Sequence, residues 1–376
     1  MNTKILLSIA AASTLFFSCN KKIETLAINE KQNTPLALIT TVINDKYTFM
    51  ETDNAIINLD AYFETTANAN SLETDFASTK TAMAVTSAAY TAHSSKISIK
   101  QIVKNADGTE TITANELSNL TTNQKDAATN AFIQTTALQQ YIFVVKFDGG
   151  IYKIVSVRNV DKEILQHEKE EANNIPYITD DLIEIELSDK RFTSVATVNY
   201  NRAAAIAYAA TYAITPNVAY QDFSSGCSYC GGDCTNFLSQ CMLAGGWEQQ
   251  FYKASSASAW WYGKSTNSVG FKGGFSGIWP SAQKMGFFLK KLTSRVTRVT
   301  DLSQITPGDP VMMVAPNGNA YHALIVTQKA TNGDLYLSCH TSNRLNNHMS
   351  NYGITATTKF SGITPDILLF KMKDKY

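Results

Sequence analysis

One stretch constrains this chain more than any other: Gly231-Gly232-Asp233-Cys234-Thr235-Asn236-Phe237-Leu238-Ser239-Gln240-Cys241-Met242-Leu243-Ala244-Gly245-Gly246. Phe237, Leu238, Cys241, Met242 and Ala244 recur at helical spacing, and Gly245-Gly246 is a stop signal. Two glycines let the chain turn sharply before Asp233, a good N-cap residue. The segment therefore reads as an amphipathic helix of about three turns with Cys234 in its first turn. Unpaired N–H groups and the positive dipole end favour a thiolate there, and a backbone N–H at the same place can stabilise an oxyanion. Cys234 is the candidate nucleophile.

A cysteine nucleophile needs a base within hydrogen-bond reach and a third group to orient that base. Downstream, residues 306–310 form a turn, 311–314 a strand, and 320–327 a second strand with His322, the candidate base, at its entrance. Residues 331–334 are a hairpin turn, and 335–343 return alongside. With Asn332-Gly333 as a two-residue turn, His322 faces Asn343, Cys339 and Thr341 share its face, and His340 points away. One extra loop residue or one bulge reverses that assignment because the strand period is two. His340 and Asn343 stand as alternatives for the orienting group.

The remaining cysteines offer a competing chemistry. Cys227 and Cys230 have the spacing of half a zinc site or of a redox pair. No second short-spaced ligand pair follows, so the reading is a disulfide or small core residues, with no metal and no cofactor. Cys241 reads as core. Cys19 has a different role. Lys4, an apolar run over 5–17 and Ser18-Cys19 make a lipoprotein-type export signal over 1–18, too short to span a bilayer stably. Cys19 would then carry the lipid that tethers the protein to the envelope bilayer, on the periplasmic face or the cell surface.

Residues 19–34 are a polar tether. Residues 35–195 read as a small α+β domain of no evident chemistry. In it, 36–43 carry a β-branched strand signal, 75–90 an Ala-rich helix signal, 97–103 and 109–112 flank a turn, and 140–147 and 151–157 form a hairpin. The charged run 161–171 reads as a solvated helix face, and His93 and His167 as isolated. From Tyr200 the texture changes: 201–213 is an Ala-rich helix with Tyr208 and Tyr212 stacked at i, i+4, ended by Pro216. With 376 residues, two domains are expected. Lys+Arg and Asp+Glu are both 32, and a chain with no excess of cations is no nucleic-acid binder.

Tyr200-Asn201-Arg202, the Gly231–Phe237 run, Ala244-Gly245-Gly246, Trp261-Tyr262, Gly308-Asp309, His322 and His340-Thr341 together resemble the amidase domain of exported bacterial proteins. That family is similar to papain-like and NlpC-type cysteine peptidases. The resemblance covers roughly 198–373. It implies an α+β fold for 196–376, with a Cys-bearing helix packed on an antiparallel sheet, and Cys234, His322 and His340 or Asn343 as nucleophile, base and third polar group. Asp233, Tyr229 and Trp261 are the candidate substrate-contacting residues, Trp261 because aromatic rings wall clefts that hold sugars or peptides. Lys290, Lys291, Arg295 and Arg298 read as solvated surface. The expected activity is cysteine-dependent amide hydrolysis through an acyl-enzyme, with cell-wall peptide or another extracytoplasmic peptide as substrate. The competing class is a non-catalytic papain-like module that binds glycan or peptide.

Overall fold

The computed structural model describes residues 32–176, 198–224, 232–250, 259–263, 274–355, 358, 360–361 and 366–376. The export signal, Cys19, Cys227, Tyr229, Cys230 and the boundary near residue 195 lie outside the described residues. Two compact units are present, one drawn from residues 1–77, 95–116 and 140–158, the other from 78–94, 117–139 and 159–376.

In the first unit, helix α1 (Pro35–Glu51) takes up the segment whose β-branched residues signalled a strand. The Thr34 hydroxyl accepts the Ala37 N–H at 3.1 Å, Pro35 opens the first turn, and Leu38, Ile39, Val42, Ile43, Tyr47 and Met50 bury one helical face. Capping and a 3.6-residue apolar period outweigh the small propensity cost of Val, Ile and Thr. Helix α2 (Thr66–Ala84) starts before the Ala-rich stretch and stops before Tyr90, which opens strand β1 (Tyr90–Lys104). Strand β2 (Thr109–Lys125) follows a turn closed by the Asn105 N–H to the Thr109 carbonyl at 2.9 Å, with Gly108 at φ +82°. Strand β3 (Phe132–Asp148) pairs with β4 (Ile151–Asn159) across Gly149-Gly150. The unit's core encloses a charged pair: Lys46 Nζ lies 3.3 Å from Glu116 Oε2 and 3.3 Å from the Tyr141 hydroxyl. Tyr47 donates its hydroxyl to the same carboxylate, so the buried charges are satisfied.

The second unit is built on an antiparallel sheet. Beside β3 run β9 (Arg344–His348), β8 (Leu335–Cys339), β7 (Ala320–Lys329), β6 (Pro310–Val314), β10 (Ile367–Met372) and β5 (Val296–Val299), in that order. Pro310 occupies the first position of its strand, where its missing donor is tolerated. Alternate residues serve two cores. Met312, Leu368, Phe370 and Met372 join helices α4 (Arg202–Tyr212), α5 (Cys234–Ala244) and α6 (Ala282–Lys291), whereas Val311, Met313, Ile367 and Leu369 join helix α3 (Val160–Asn174) through Ala172. A sheet covered on both faces needs the near-continuous apolar strands seen in β6, β8 and β10.

Two motifs separated by about a hundred residues meet in this unit. Arg202 pairs with Asp309 at 2.6 Å and with Asp374 at 2.6 Å, and donates to the Pro307 and Met372 carbonyls. The Tyr200 hydroxyl donates to the Gly308 carbonyl at 2.8 Å. Arg295, expected on the surface, is buried: it donates to the Glu248 carbonyl at 2.9 Å and lies over the Tyr376 ring at 4.5 Å. Its aliphatic stem packs while its guanidinium keeps polar partners.

Candidate active site

Helix α5 runs between the expected limits, from Cys234 after Asp233 to Ala244 before Gly245. It differs from the amphipathic expectation in being buried on all sides from Cys234 to Met242. Asp233 stands at the N-cap without capping the helix through its side chain. Its Oδ1 instead accepts the Phe223 N–H at 3.1 Å and the Asn236 amide at 2.7 Å, and its Oδ2 lies 2.6 Å from His340 Nδ1. Asn236 also donates to the Gln221 carbonyl at 3.0 Å and accepts the Trp279 indole N–H at 2.7 Å. The chain on either side of Cys234 is thus pinned by buried polar bonds. Thr341 holds the other side: its hydroxyl accepts the Asp233 N–H at 2.9 Å while its backbone sits at φ +77°. A β-branched residue at positive φ is strained, and such strain persists only where the surroundings fix it.

His322 lies at the start of β7, paired with Met313 across β6. The Cys234 sulfur, a His322 ring nitrogen and a Glu168 carboxylate oxygen all lie within 4.8 Å of one another. Glu168 Oε2 is 3.3 Å from His322 Nδ1. Burial works against the imidazolium, but the charge of Cys234 and hydrogen bonding to Cys234, Cys339 and Glu168 together hold His322 well above its ordinary value. Burial pushes the Glu168 carboxyl up, with His322 opposing. A base beside a thiol and backed by compensating charge has what proton transfer to and from sulfur requires. The same three side chains are the group of His, Cys, Asp and Glu that could hold a metal ion among the described residues. Cys234, Cys241 and Cys339 are free thiols.

Glu168 carries no signal in the charged run where it sits, which reads as a solvated face. The trace was present at a finer grain. Asp161, Leu165, Glu168 and Ala172 recur at spacings of four, three and four, and that stripe of α3 packs inward, with Asp161, Glu168 and Ala172 buried and Leu165 against the core. His167, one position away, is exposed and pairs with Glu171 at 3.2 Å.

The β7–β8 register differs from the two-residue-turn expectation. Lys329 pairs with Leu335 and, past a bulge near Thr327, Ile325 pairs with Ser338. A longer loop and a bulge each flip the strand face, and together they restore it. The Cys339 thiol accordingly interacts with His322. Strand β8 ends there, so His340 and Asn343 lie in a turn. Both His340 nitrogens are engaged elsewhere, Nδ1 by Asp233 and Nε2 by the Tyr212 carbonyl at 2.7 Å, and its ring stacks on Phe237. The Asn343 amide donates to the Ile214 carbonyl at 3.2 Å. Trp261 is buried, its backbone bonded to Ser276, and Tyr262 beside it is the half-buried ring, 4.8 Å from Tyr220 between centroids.

Residues 199–363, less than half of the chain, match the family described as "Putative amidase domain". The chain is 29% identical over 147 residues to "Uncharacterized protein YhbB" of Bacillus subtilis (strain 168), a match covering 38% of this chain and 42% of that protein's length. The intermembrane space region of the chloroplast protein ARC6, a crystal structure, aligns with 34% of this chain and 96% of its own at 14% identity and a TM-score of 0.24. By sequence, then, the segment that contains Cys234, His322 and His340 is the one that matches an amidase family.

Proposed function

We propose that residues 199–363 form a cysteine-dependent amide hydrolase in which Cys234 is the nucleophile and His322 the acid and base. The observation that carries the reading is the approach of the Cys234 sulfur and a His322 nitrogen to within 4.8 Å at the N-terminus of a buried helix, inside the segment that matches the amidase family. Cys234 Sγ bonds to the amide carbonyl carbon as its proton passes to His322. The developing oxyanion faces the N-terminal end of α5, where helix N–H groups and dipole favour negative charge. Collapse breaks the C–N bond, His322 returns the proton to the leaving amine, and a thioester remains. Water deprotonated by His322 then attacks the thioester, releasing a carboxylic acid and the thiol. Cys234→Ala should lower hydrolysis of peptide amides by about 10⁴-fold or more and abolish covalent capture by a thiol-reactive amide mimic. Retention of turnover in that variant sinks the assignment.

The envelope address is part of the proposal. Its support is the signal pattern and Cys19, and extracytoplasmic peptide, including cell-wall peptide, is the substrate class that address presents. Cys19→Ala should move the protein from the membrane to the soluble fraction and end labelling by a fatty-acid analogue; unchanged membrane association would refute the anchor.

A further inference from the structure

Catalysis alone leaves three features of the site without a purpose. Cys234 and His322 are both 0% exposed. Glu168 Oε1 and His322 Nε2 are buried with no hydrogen-bond partner. The carboxylate on His322 comes from α3, which precedes the residues that match the amidase family.

The position of that carboxylate decides its role. A group that orients a catalytic imidazole bonds the nitrogen facing away from the nucleophile. With the ring between two ordinary hydrogen-bond distances, it stands roughly 8 Å from the sulfur. A Glu168 carboxylate oxygen is within 4.8 Å of Cys234 Sγ, too close for a carboxylate on the far side of the ring from the thiol. Elsewhere around the ring, the Tyr352 ring stacks at 6.4 Å between centroids, its hydroxyl 3.3 Å from the Cys339 sulfur. Glu168 Oε1 lies against Gly232, so close that a Cβ on that glycine would overlap it. Sulfur, imidazole and the entry to the nucleophile helix are the three surfaces that a scissile carbonyl must approach, its carbon within roughly 3–3.5 Å of the attacking atom.

We propose that α3 is an intramolecular plug whose Glu168 carboxylate occupies the seat of the product carboxylate beside Cys234, so that the folded chain is autoinhibited until α3 moves. The inference rests on Cys234 and His322 being the reacting pair. Amide hydrolysis ends in a carboxylate, and Glu168 presents one from within the chain at the high effective concentration of a tethered group. The helix is held at both ends and along its buried stripe. Asn317 and Asn319 donate their amides to the Ala172 and Ile175 carbonyls at 2.8–3.0 Å, Leu165 and Ala172 pack on the core, and Asp161 lies 3.8 Å from Arg344. The unbonded Oε1 and the burial that pushes the Glu168 carboxyl up make the seat itself a poor resting place, which suits a plug that must leave.

The test is the rate at which iodoacetamide alkylates Cys234 in the full chain, followed by mass spectrometry with Cys241 as a buried reference and glutathione as a free-thiol standard. Wild type should react slowly, and Glu168→Ala at least tenfold faster. The double variant Asn317→Ala/Asn319→Ala, which loosens the end of α3 with Glu168 intact, should move the rate the same way and carries the test if Glu168→Ala does not fold. Hydrolysis of a short peptide amide is read in parallel. Wild-type alkylation at the free-thiol rate overturns the plug, as do unchanged rates in both folded variants. So does a fall in both alkylation and hydrolysis in Glu168→Ala with an unchanged melting temperature, the result expected of an orienting residue. Faster alkylation with no hydrolysis in any variant shows that Glu168 covers the thiol but removes the amidase reading, and overturns the product-carboxylate seat with it.

Discussion

Gly232 shows how tightly single positions are fixed around the thiol. Its φ of +83° excludes an ordinary side chain, and a Cβ would stand 2.6 Å from the Thr341 hydroxyl that bonds the Asp233 N–H. The Glu168 carboxylate can swing aside, but Thr341 is branched, strained and bonded, so the backbone conformation and that contact set the cost. Gly232→Ala should lower stability by about 2 kcal/mol in chemical denaturation. A change within 0.5 kcal/mol would mean that the turn before Cys234 relaxes freely. The helix start at Cys234 and the strand entrance at His322 were legible because their signals are local: an N-cap and glycine pair for one, an apolar run after a turn for the other. Glu168 was not, because a carboxylate in a charged run differs from its solvated neighbours only in the helical face it occupies.

At the scale of elements, the helix that bears Cys234 owes its place to bonds made by residues beside it. Asp233 is bonded by Phe223 and His340 from two other segments and by Asn236 of its own helix, so the N-cap expectation fixed the position of the residue and missed its work. The Arg202–Asp309 pair does for α4 and β6 what Asp233 does for α5, joining the first turn of a helix to the start of a strand. Asp309 is fully buried and accepts also from the Met372 and Thr306 backbones. Asp309→Ala leaves those backbone donors without their acceptor and takes from Arg202 one of its two carboxylate partners, and should cost about 3 kcal/mol, read as a lowered denaturation midpoint. A loss below 1 kcal/mol would reduce the motif to surface pairing. Helix α1 makes the complementary point. Its β-branched composition suggested a strand, yet the Thr34 cap, Pro35 and the apolar period decided for a helix.

Across the second unit, one polar network ties segments about 210 residues apart. Asp334 accepts from the Gln124 amide at 2.6 Å and the Asn332 amide at 2.9 Å, and lies 3.1 Å from His348 Nε2. Burial alone would raise its carboxyl, but hydrogen bonds from His348, Gln124, Asn332 and Thr86 lower it from 3.8 to about 2. A depressed folded-state value means stability that is complete above pH ~4 and lost as pH falls through about 2. After allowance for solvent screening, the contribution is about 1 kcal/mol. Acid titration of stability should therefore be less steep in Asp334→Asn than in wild type between pH ~4 and ~2; identical profiles would show the network to be inert. Sequence by itself determined the helix that bears Cys234, the strands around His322 and an α+β class, because caps, glycines and periodicity act over a few residues. Only the tertiary structure decided that a loop and a bulge together bring Cys339 to His322, that His340 serves Asp233, and that Glu168 faces the thiol. Each of those depends on which distant surfaces are buried against one another, and short-range periodicity marks a buried face without naming the surface it will meet.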